Sequence, residues 1–434
     1  MRNMQNDSEL KLMDDLAVSH VSHSLQGKRI ALCCCGGIAA IDSPKVARSL
    51  RRRGASVEAW ATENALKFVG IASLEWATSK PVVTSPSGMA EHISTHDCIL
   101  VCNATADVIA KAAQGICSDG VTTLIQSAMG LKIPVIFLQT MHESLAHSPI
   151  VQRNCEILRA FDNVSFLKPR IEESKLKIRP HEEIADEVSH IVNKHKFAGR
   201  IGKTLLTMGG TRVALDSVRA ISNRSSGRLG LALLKELYRW GLAVDVFVGE
   251  ATVDLPSLDG VSIKKVPSYE QMYSAVKNIC SADYSGVFML AAVSDFITEQ
   301  KHAGKEKISS KRETIDVHLV RSSKIVALDS FQRIPFRFTC KLTQDDGHEA
   351  QEAIERLLAA SNSHYIFWNT VTEAFGKEDD QQLSTRGKTI GRLIHCDRLT
   401  KSPLEKETTE IFATKEALCQ KIVSIFIQHV ENCK

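Results

Sequence analysis

Residues 203–230 read KTLLTMGGTRVALDSVRAISNRSSGRLG, and the order of residue types in this stretch decides the fold around it. The strand predicted over 203–208, with its apolar run at 204–206, leads into Gly209 and Gly210, and a polar loop follows before helical spacing begins at Leu229. Strand, glycine turn, polar loop and helix in this order are typical of a phosphate site in an α/β fold. A turn and a helix cap without a ligand would explain either glycine motif alone, but the two together predict an anion site.

Strand and helix signals alternate in the same way on both sides of this stretch. The predicted strands are 29–35, 57–62, 98–103, 133–138, 203–208, 243–248, 261–266, 287–292 and 364–368. The predicted helices are 39–53, 108–114, 150–161, 229–240, 269–279 and 349–360. Continuous apolar strands that alternate with helices predict an α/β fold of two tandem three-layer domains with mostly parallel sheets.

The places where this pattern starts, breaks and restarts divide the chain into three segments. We predict a polar tail over residues 1–25, a first domain over 26–197 and a second domain over 198–434. The break lies at 195–202, where Lys, His and Gly replace the periodic pattern. Residues 297–325 are rich in lysine and then alternate, which predicts a β-ribbon flap.

Net charge, the length of the apolar runs and the spacing of the cysteines limit the classes of function that the chain can have. A net charge of +4 with scattered Lys and Arg does not favour nucleic acid, and we interpret residues 51–53 (RRR) as the solvated end of a helix. No apolar run reaches the roughly 18–20 residues of a membrane span, and the polar N-terminus lacks a signal-peptide core. We therefore expect a cytoplasmic protein. The twelve cysteines show no paired CxxC spacing, so we expect no metal centre.

The stretch 209–230 (GGTRVALDSVRAISNRSSGRLG) resembles the signature GGTxxxIDxVRxISNRSSGxxG, with Leu215 as its one departure. This is the signature of the ligase half of the bifunctional phosphopantothenoylcysteine decarboxylase/phosphopantothenate–cysteine ligase family of coenzyme A synthesis. The resemblance implies a Rossmann-like ligase domain that joins 4′-phosphopantothenate to cysteine through an acyl-nucleotide. It also implies Mg²⁺ and CTP, with ATP as the open alternative.

The same resemblance implies roles for individual residues of the second domain. Asn223 would contact the acyl phosphate, and Lys307 would belong to a flap that closes over it. The nucleotide-binding residues implied are Gly209, Gly210, Thr211, Ser225, Ser226, Gly227, Asp295 and Lys341. The family's KNPDIL segment corresponds to residues 321–326, which read RSSKIV here.

In the first domain, Gly36 and Gly37 follow a predicted strand and open a helix, where a parallel sheet binds a phosphorylated cofactor. The ordered series GGIAA (36–40), Thr62 with Ala65 and ATA (104–106) resembles the flavodoxin-like, flavin-binding decarboxylase half of the same family. The resemblance implies FMN, with Gly36, Gly37 and Thr62 on its phosphate side. It further implies that Thr105 faces the cofactor and that His92 acts beside the flavin as the product of ligation is decarboxylated to 4′-phosphopantetheine.

Three departures from the family pattern concern decarboxylation. The family's APATAN corresponds to CNATAD (102–107), which loses the proline and ends in Asp107. The family's PAMNxxMW corresponds to QTMHESLA (139–146), so that His142 replaces an asparagine. Its LACGxxGxGRM flap should lie near 167–179, where this chain has neither Cys nor Gly. That cysteine serves the second half-reaction, for which Lys and Glu are no substitute. We therefore expect weak decarboxylation.

Other functions stay open at this point. The chain could be a ligase with an inert flavin-binding domain, or a non-catalytic flavin-binding regulatory subunit. A nicotinamide-dependent Rossmann oxidoreductase is least favoured, because neither glycine turn completes GxGxxG with an acidic residue about 20 residues on. We also expect a homo-oligomer without nucleic-acid or membrane partners.

Overall fold

The computed structural model describes residues 16–88, 90, 93–197, 199–299, 307–309, 311, 313–375, 390–396 and 409–432. The chain forms two compact units. One ends at Lys196 and takes in Arg239–Gly241, and the other comprises Phe197–Tyr238 and the chain from Leu242 onward. The boundary at residues 197/198 stays a prediction.

The first unit is built on a parallel sheet of five strands in the order β2-β1-β3-β4-β6. Its strands are β1 Arg29–Cys34, β2 Ser56–Ala61, β3 Cys98–Ala104, β4 Val135–Gln139, β5 Met141–His142, β6 Val164–Leu167, β7 Arg170–Glu172 and β8 Lys175–Lys177. Its helices are α1 Ser43–Arg51, α2 Ile71–Thr78, α3 Ala106–Gln114, α4 Gly120–Gly130, α5 Glu143–Ala146, α6 Pro149–Arg159 and α7 His181–Phe197. This strand order is that of the flavodoxin-like fold.

Both faces of this sheet are covered, which explains why its strands are continuously apolar. Along β1, Ile30 and Leu32 pack into one core cluster, and Ala31 and Cys33 pack into the cluster on the other face. Successive side chains of a strand point to opposite faces, so a strand between two helix layers has no polar side.

The second unit contains an eight-stranded sheet in the order β13-β12-β9-β14-β17-β18-β19-β20, antiparallel only at β19 and β20. Its strands are β9 Lys203–Met208, β10 Arg212–Ala214, β11 Ala220–Ser222, β12 Val244–Val248, β13 Val261–Lys265, β14 Tyr284–Met289, β15 Phe296–Thr298, β16 Leu319–Arg321, β17 Phe336–Thr343, β18 Tyr365–Thr370, β19 Gly391–His395 and β20 Thr409–Phe412. Its helices are α8 Arg228–Arg239, α9 Tyr269–Lys277, α10 Asp329–Gln332, α11 His348–Ser361, α12 Val371–Phe375 and α13 Lys415–Asn432. The six parallel strands follow the Rossmann order 3-2-1-4-5-6.

The predicted fold class is confirmed, although several elements differ from the prediction. The helix predicted over 39–53 is a 3₁₀ turn, Ile38–Asp42, followed by α1, which begins beside Pro44 because proline lacks an N–H and suits the first turn of a helix. Strand β17 and the antiparallel pair β19–β20 were not predicted. Strands β15 and β16 pair antiparallel, as expected for the ends of the predicted ribbon.

The interpretation of residues 51–53 as a solvated helix end is wrong for Arg53, which is 0% exposed. Its Nη1 lies 2.8 Å from Glu182 Oε2, and its Nε donates to Asp186 Oδ1 at 2.7 Å. Two carboxylates from α7 thus compensate a buried cation, a long-range pairing that a run of three arginines does not reveal. Within the described ranges, no helix has both the length and the apolar character that crossing a bilayer would take.

Candidate active sites

The glycine turn of the first unit lies where the order of its sheet changes direction. Gly36 and Gly37 follow β1, and Thr105 follows the adjacent strand β3. An open α/β sheet binds its ligand in the crevice at such a switch point. Asn103 joins the two strand ends, since its Oδ1 accepts the N–H of Cys35 at 2.8 Å and its Nδ2 donates to the Cys35 carbonyl at 2.6 Å. The two glycines and Thr105 therefore lie at one crevice.

The two glycines differ in what surrounds them. A Cβ on Gly36 would lie 2.6 Å from the Cβ of Asn64, two residues after Thr62, so the backbone needs glycine there. A Cβ on Gly37 would meet only the Cγ2 of Thr105, at an ordinary 3.7 Å. The Thr62 hydroxyl accepts a main-chain N–H three residues on, at 3.2 Å. The loops that carry Gly36 and Thr62 are therefore packed against each other, and Gly37 borders open space.

His92 lies outside the described residues, but the chain just beyond it is firmly anchored. The N–H of Ser94 donates to Ser127 Oγ at 3.0 Å. The buried ring of His96 contacts Glu58 Oε2 through Nε2 at 2.8 Å. This hydrogen bond from His96 is the main reason why the pKa of Glu58 falls to about 2. Glu58 on β2 thus holds the segment that leads from His92 into β3.

We expect Glu58→Gln to destabilise the protein in a pH-dependent way. A carboxyl whose pKa falls on folding from 4.5 to about 2 adds stability that is complete above pH 4.5 and lost as the pH falls through 2. The variant should therefore lose about 1–2 kcal/mol in the free energy of unfolding near neutral pH. Urea denaturation at both ends of that pH range measures the difference. Glu63→Gln, at an exposed position, is the control, and a loss that persists below pH 2 would contradict the assignment.

Where the resemblance implies the cysteine flap, the structure has a short charged hairpin. Strands β7 and β8 pair antiparallel, and β8 also pairs with β5. Glu173 and Ser174 form the turn, with φ of 53° and 54°, as a two-residue hairpin loop with positive φ at both positions requires. Cys155, in α6, is buried, and burial raises the pKa of its thiol. The hairpin thus supplies carboxylates and ammonium groups but no thiol.

In the second unit the glycine turn again occupies the switch point, between β9 and β14. Gly209 has φ +79°, and a Cβ there would lie 2.5 Å from the Glu250 carbonyl oxygen. The N–H of Gly210 donates to that oxygen at 2.8 Å, and the N–H of Thr211 donates to the Ala292 carbonyl at 3.0 Å. These hydrogen bonds hold the turn against the segments that follow β12 and β14. The glycines allow the backbones to come this close because they have no side chain.

The side chain of Thr211 does not face open space. The residue is 0% exposed, its hydroxyl accepts the N–H of Ser294 at 2.8 Å, and it lies 3.0 Å from the Ser294 hydroxyl. The sequence predicts a ligand contact for this residue, but in the structure its hydroxyl fastens two loops of the site together. The predicted contact with the nucleotide stays a prediction for Gly209, Gly210 and Thr211.

A cavity of about 660 Å³ opens at this switch point, within the usual size range of small-molecule sites. Seven residues singled out in the sequence line it, namely Gly209, Asn223, Ser225, Ser226, Gly227, Asp295 and Lys341. Gly210, Thr211 and Lys307 are not among the residues that line it. The structure thus brings together most of the predicted second-domain site from strand ends and loops that are far apart in sequence.

Asn223 links the two sides of this cavity. Its Nδ2 donates to the Ala292 carbonyl at 2.7 Å, and its own carbonyl accepts the N–H of Ser225 at 2.9 Å. Two residues on, Gly227 has φ +75°, and its carbonyl accepts the N–H of Leu231 in the first turn of α8. The loop therefore presents an exposed amide beside a helix N-terminus, an arrangement suited to an anionic ligand.

Cations dominate the charged residues around the cavity. The lining contains five basic residues, Arg224, Arg228, Lys324, Lys341 and Lys415, and one acidic residue, Asp295. Burial, with Lys324 and Arg356 nearby, lowers the pKa of Lys341, although Asp295 acts in the opposite direction. Two of the unpredicted cations lie in the NRSSGR motif and could have been noticed there. Lys324 lies in the segment 321–326 that the resemblance singles out, whereas Lys415 carries no local signal, because only the fold brings it to the cavity.

Lys307 is exposed, and its neighbour ties it to the loop that precedes β11. The N–H of Ile308 donates to Asp216 Oδ2 at 3.1 Å, and Asp216 Oδ1 accepts the N–H groups of Val218 and Arg219 at 2.8 and 2.6 Å. These hydrogen bonds, chiefly that of Val218, lower the pKa of Asp216. Asp216 therefore connects the Lys307 segment to the chain that leads to Asn223.

Comparisons with known proteins agree with this geometry. Residues 18–193 match the Flavoprotein family, and residues 200–410 match the DNA/pantothenate metabolism flavoprotein C-terminal domain. A coenzyme A biosynthesis bifunctional protein CoaBC from Thermococcus kodakarensis is 33% identical over 372 residues, covering 83% of this chain and 89% of the relative. The chain belongs to this family. The Methanocaldococcus jannaschii member is 31% identical over 317 residues, covering 72% of this chain and 75% of that protein.

Among solved structures, the FMN-dependent cysteine decarboxylase SpaF is 26% identical and covers 37% of this chain and 95% of its own, with a TM-score of 0.34. Membership of the bifunctional family confirms the predicted resemblance, and the first unit is a flavoprotein domain. Across the described ranges, the eleven cysteines are free thiols and no group of His, Cys, Asp and Glu could hold a metal ion. Outside the described residues lie His92 and much of the predicted flap.

Proposed function

We propose that the second unit joins 4′-phosphopantothenate to cysteine by nucleotide-dependent activation, and that the first unit binds FMN and acts on the product. The observation that carries the proposal is the cavity at the β9/β14 switch point, whose described lining residues include five cations, the Asn223 amide and one carboxylate. Such a site suits two phosphorylated substrates. The cytoplasmic location and the homo-oligomer stay predictions.

Ligation then proceeds in two steps, activation of the carboxylate and formation of the amide. The substrate carboxylate attacks the α-phosphorus of CTP or ATP, the bond to the leaving pyrophosphate breaks, and an acyl-nucleotide forms. The cysteine amine next attacks the acyl carbon, the nucleoside monophosphate leaves, and the amine proton passes to solvent. Asn223, as a neutral donor, stabilises the charge that develops on the acyl oxygen. The basic residues neutralise the pyrophosphate as it departs.

Mg²⁺ fits this donor set in part. It usually binds one or two carboxylates together with substrate phosphates, and Asp295 is the carboxylate among the described lining residues. When bound, the ion would neutralise charge on the nucleotide phosphates. Asp295 would hold it, and Lys307 would cover the activated intermediate from the segment that Asp216 anchors.

For the first unit, the crevice at the β1/β3 switch point fits the phosphate end of FMN. Gly37 borders open space, and Gly36 and Thr62 shape the loops beside it. The flavin, when bound, would accept the two electrons removed from the cysteine end of the product. Thr105 would orient the flavin, and His92 would hold or release a proton beside it, as its ordinary pKa near 6.5 allows.

The test is a single assay with two measurements. Purified protein is incubated with 4′-phosphopantothenate, cysteine, Mg²⁺ and either CTP or ATP, and pyrophosphate and carbon dioxide are measured. Pyrophosphate that depends on both substrates and on a nucleotide supports ligation. Absence of pyrophosphate with either nucleotide would contradict the proposal.

We expect decarboxylation to be slow and incomplete, because the β7–β8 hairpin supplies no thiol. Turnover should lie well below the roughly 10 per second of a median enzyme. Carbon dioxide should exceed 4′-phosphopantetheine, because the oxidised intermediate accumulates. Equal and rapid formation of the two products would show that another thiol, such as Cys117 or Cys155, does the work. No carbon dioxide at all would favour the second candidate, a ligase with an inert flavin-binding unit.

A further inference from the structure

Lys324 is one of the basic residues that line the cavity, and its side chain already has a partner there. Its Nζ hydrogen-bonds to Oδ1 of Asp295. The two side chains are 45% and 58% exposed, so this ion pair lies in the open part of the cavity.

The main chain that carries Lys324 is fixed from two sides. Ser322 donates through its hydroxyl to the Ser294 carbonyl at 2.8 Å, and through its N–H to the Asp295 carbonyl at 2.9 Å. The hydroxyl of Tyr269 donates to the carbonyl of Ser323 at 2.8 Å. Only the Lys324 side chain is left to move, and rotation about its own bonds is enough to change its partner.

The exposed ion pair with Asp295 holds the Lys324 side chain only weakly. Exposed pairs between ammonium and carboxylate contribute little to stability, whereas a phosphate offers more charge and several strong acceptor oxygens. Lys341 lies close enough for both Lys324 and Asp295 to affect its pKa, so two ammonium groups lie near this carboxylate. The local charge is therefore positive until a second anion arrives.

We propose that Lys324 is a phosphate-binding residue of this cavity, and that Asp295 holds it in place until a phosphorylated ligand becomes its counter-ion. This inference rests on the proposed ligase function. The phosphate could belong to the nucleotide or to 4′-phosphopantothenate. Once Lys324 has changed partner, the Asp295 carboxylate is available for the nucleotide side of the site.

The experiment measures the affinity of each phosphorylated ligand separately by isothermal titration calorimetry. CTP and 4′-phosphopantothenate are titrated into the wild type, Lys324→Met, Lys324→Arg and the control Lys277→Met. Lys277 is an exposed residue in the last turn of α9 that does not line the cavity. We expect Lys324→Met to weaken one of the two ligands about 10-fold, the size of a lost charge-assisted hydrogen bond. Lys324→Arg should retain most of that affinity, and the control should be unchanged.

The ligand that weakens identifies the source of the phosphate. If Lys324→Met bound both ligands as tightly as the wild type, while the wild type still released pyrophosphate, the proposal for Lys324 would be wrong and the ligase function would stand. If the wild type bound neither ligand and released no pyrophosphate, the ligase function and the role of Lys324 would fail together. Circular dichroism of each variant separates a lost contact from a lost fold.

Discussion

Replacing Asn223 by aspartate is expected to slow nucleotide-dependent pyrophosphate release by about 10²–10³-fold, the usual loss for one well-placed oxyanion donor. The side-chain Nδ2 donates to the Ala292 carbonyl at 2.7 Å, and a carboxylate cannot donate there. It would instead repel that carbonyl oxygen and add negative charge beside an anionic acyl phosphate. Single-turnover release of pyrophosphate is the appropriate measurement, because it isolates activation from later steps.

Asn278→Asp is the matched control for this variant. Asn278 is also exposed, donates through Nδ2 to the Ser274 hydroxyl at 3.2 Å, and does not line the cavity. The same change of amide to acid should there leave pyrophosphate release unaltered. Near-normal release by Asn223→Asp would show that activation takes place elsewhere.

The parts of the fold that could be predicted are those in which the local backbone conformation requires a particular type of residue. Gly209 has a positive φ and lies against a neighbouring carbonyl, so only glycine serves there and the sequence displays the requirement. Strand β9 was predicted with the observed bounds, Lys203–Met208, because its leucines and Met208 lead directly into the glycine turn that ends it. The ends of most other predicted elements differ from the structure by a few residues.

Strand β17 escaped prediction because a buried cation interrupts its apolar pattern. Arg337 is 4% exposed, and its guanidinium donates to the carbonyls of Asn362 and Gln332 at 2.9 and 3.0 Å. Arg53 was predicted to be solvated for the same reason, because its carboxylate partners are far from it in sequence. A charged residue looks solvated in a sequence unless its long-range partners are known.

In the candidate site, too, residues with a local sequence signal were predicted and residues that depend on long-range contacts were not. Asn223 and the glycines were predicted because they lie in one continuous motif, and the structure places them at the cavity. Thr211 lies in that motif too, but its hydroxyl is used within the protein. Lys415 reaches the cavity from a segment without a motif, so only the fold reveals it.

Replacing Gly37 by aspartate is expected to weaken flavin binding about 10³-fold. Two like charges about 4 Å apart near a protein surface repel by about 4 kcal/mol, which corresponds to that factor. The change should act through charge rather than shape, because a Cβ at this position meets only Thr105 Cγ2 at 3.7 Å. Gly37→Ala is therefore the control and should bind FMN nearly as the wild type does. Fluorescence titration of the apoprotein with FMN measures all three proteins. Equal affinities for Gly37→Asp and Gly37→Ala would place the flavin phosphate away from the β1 turn.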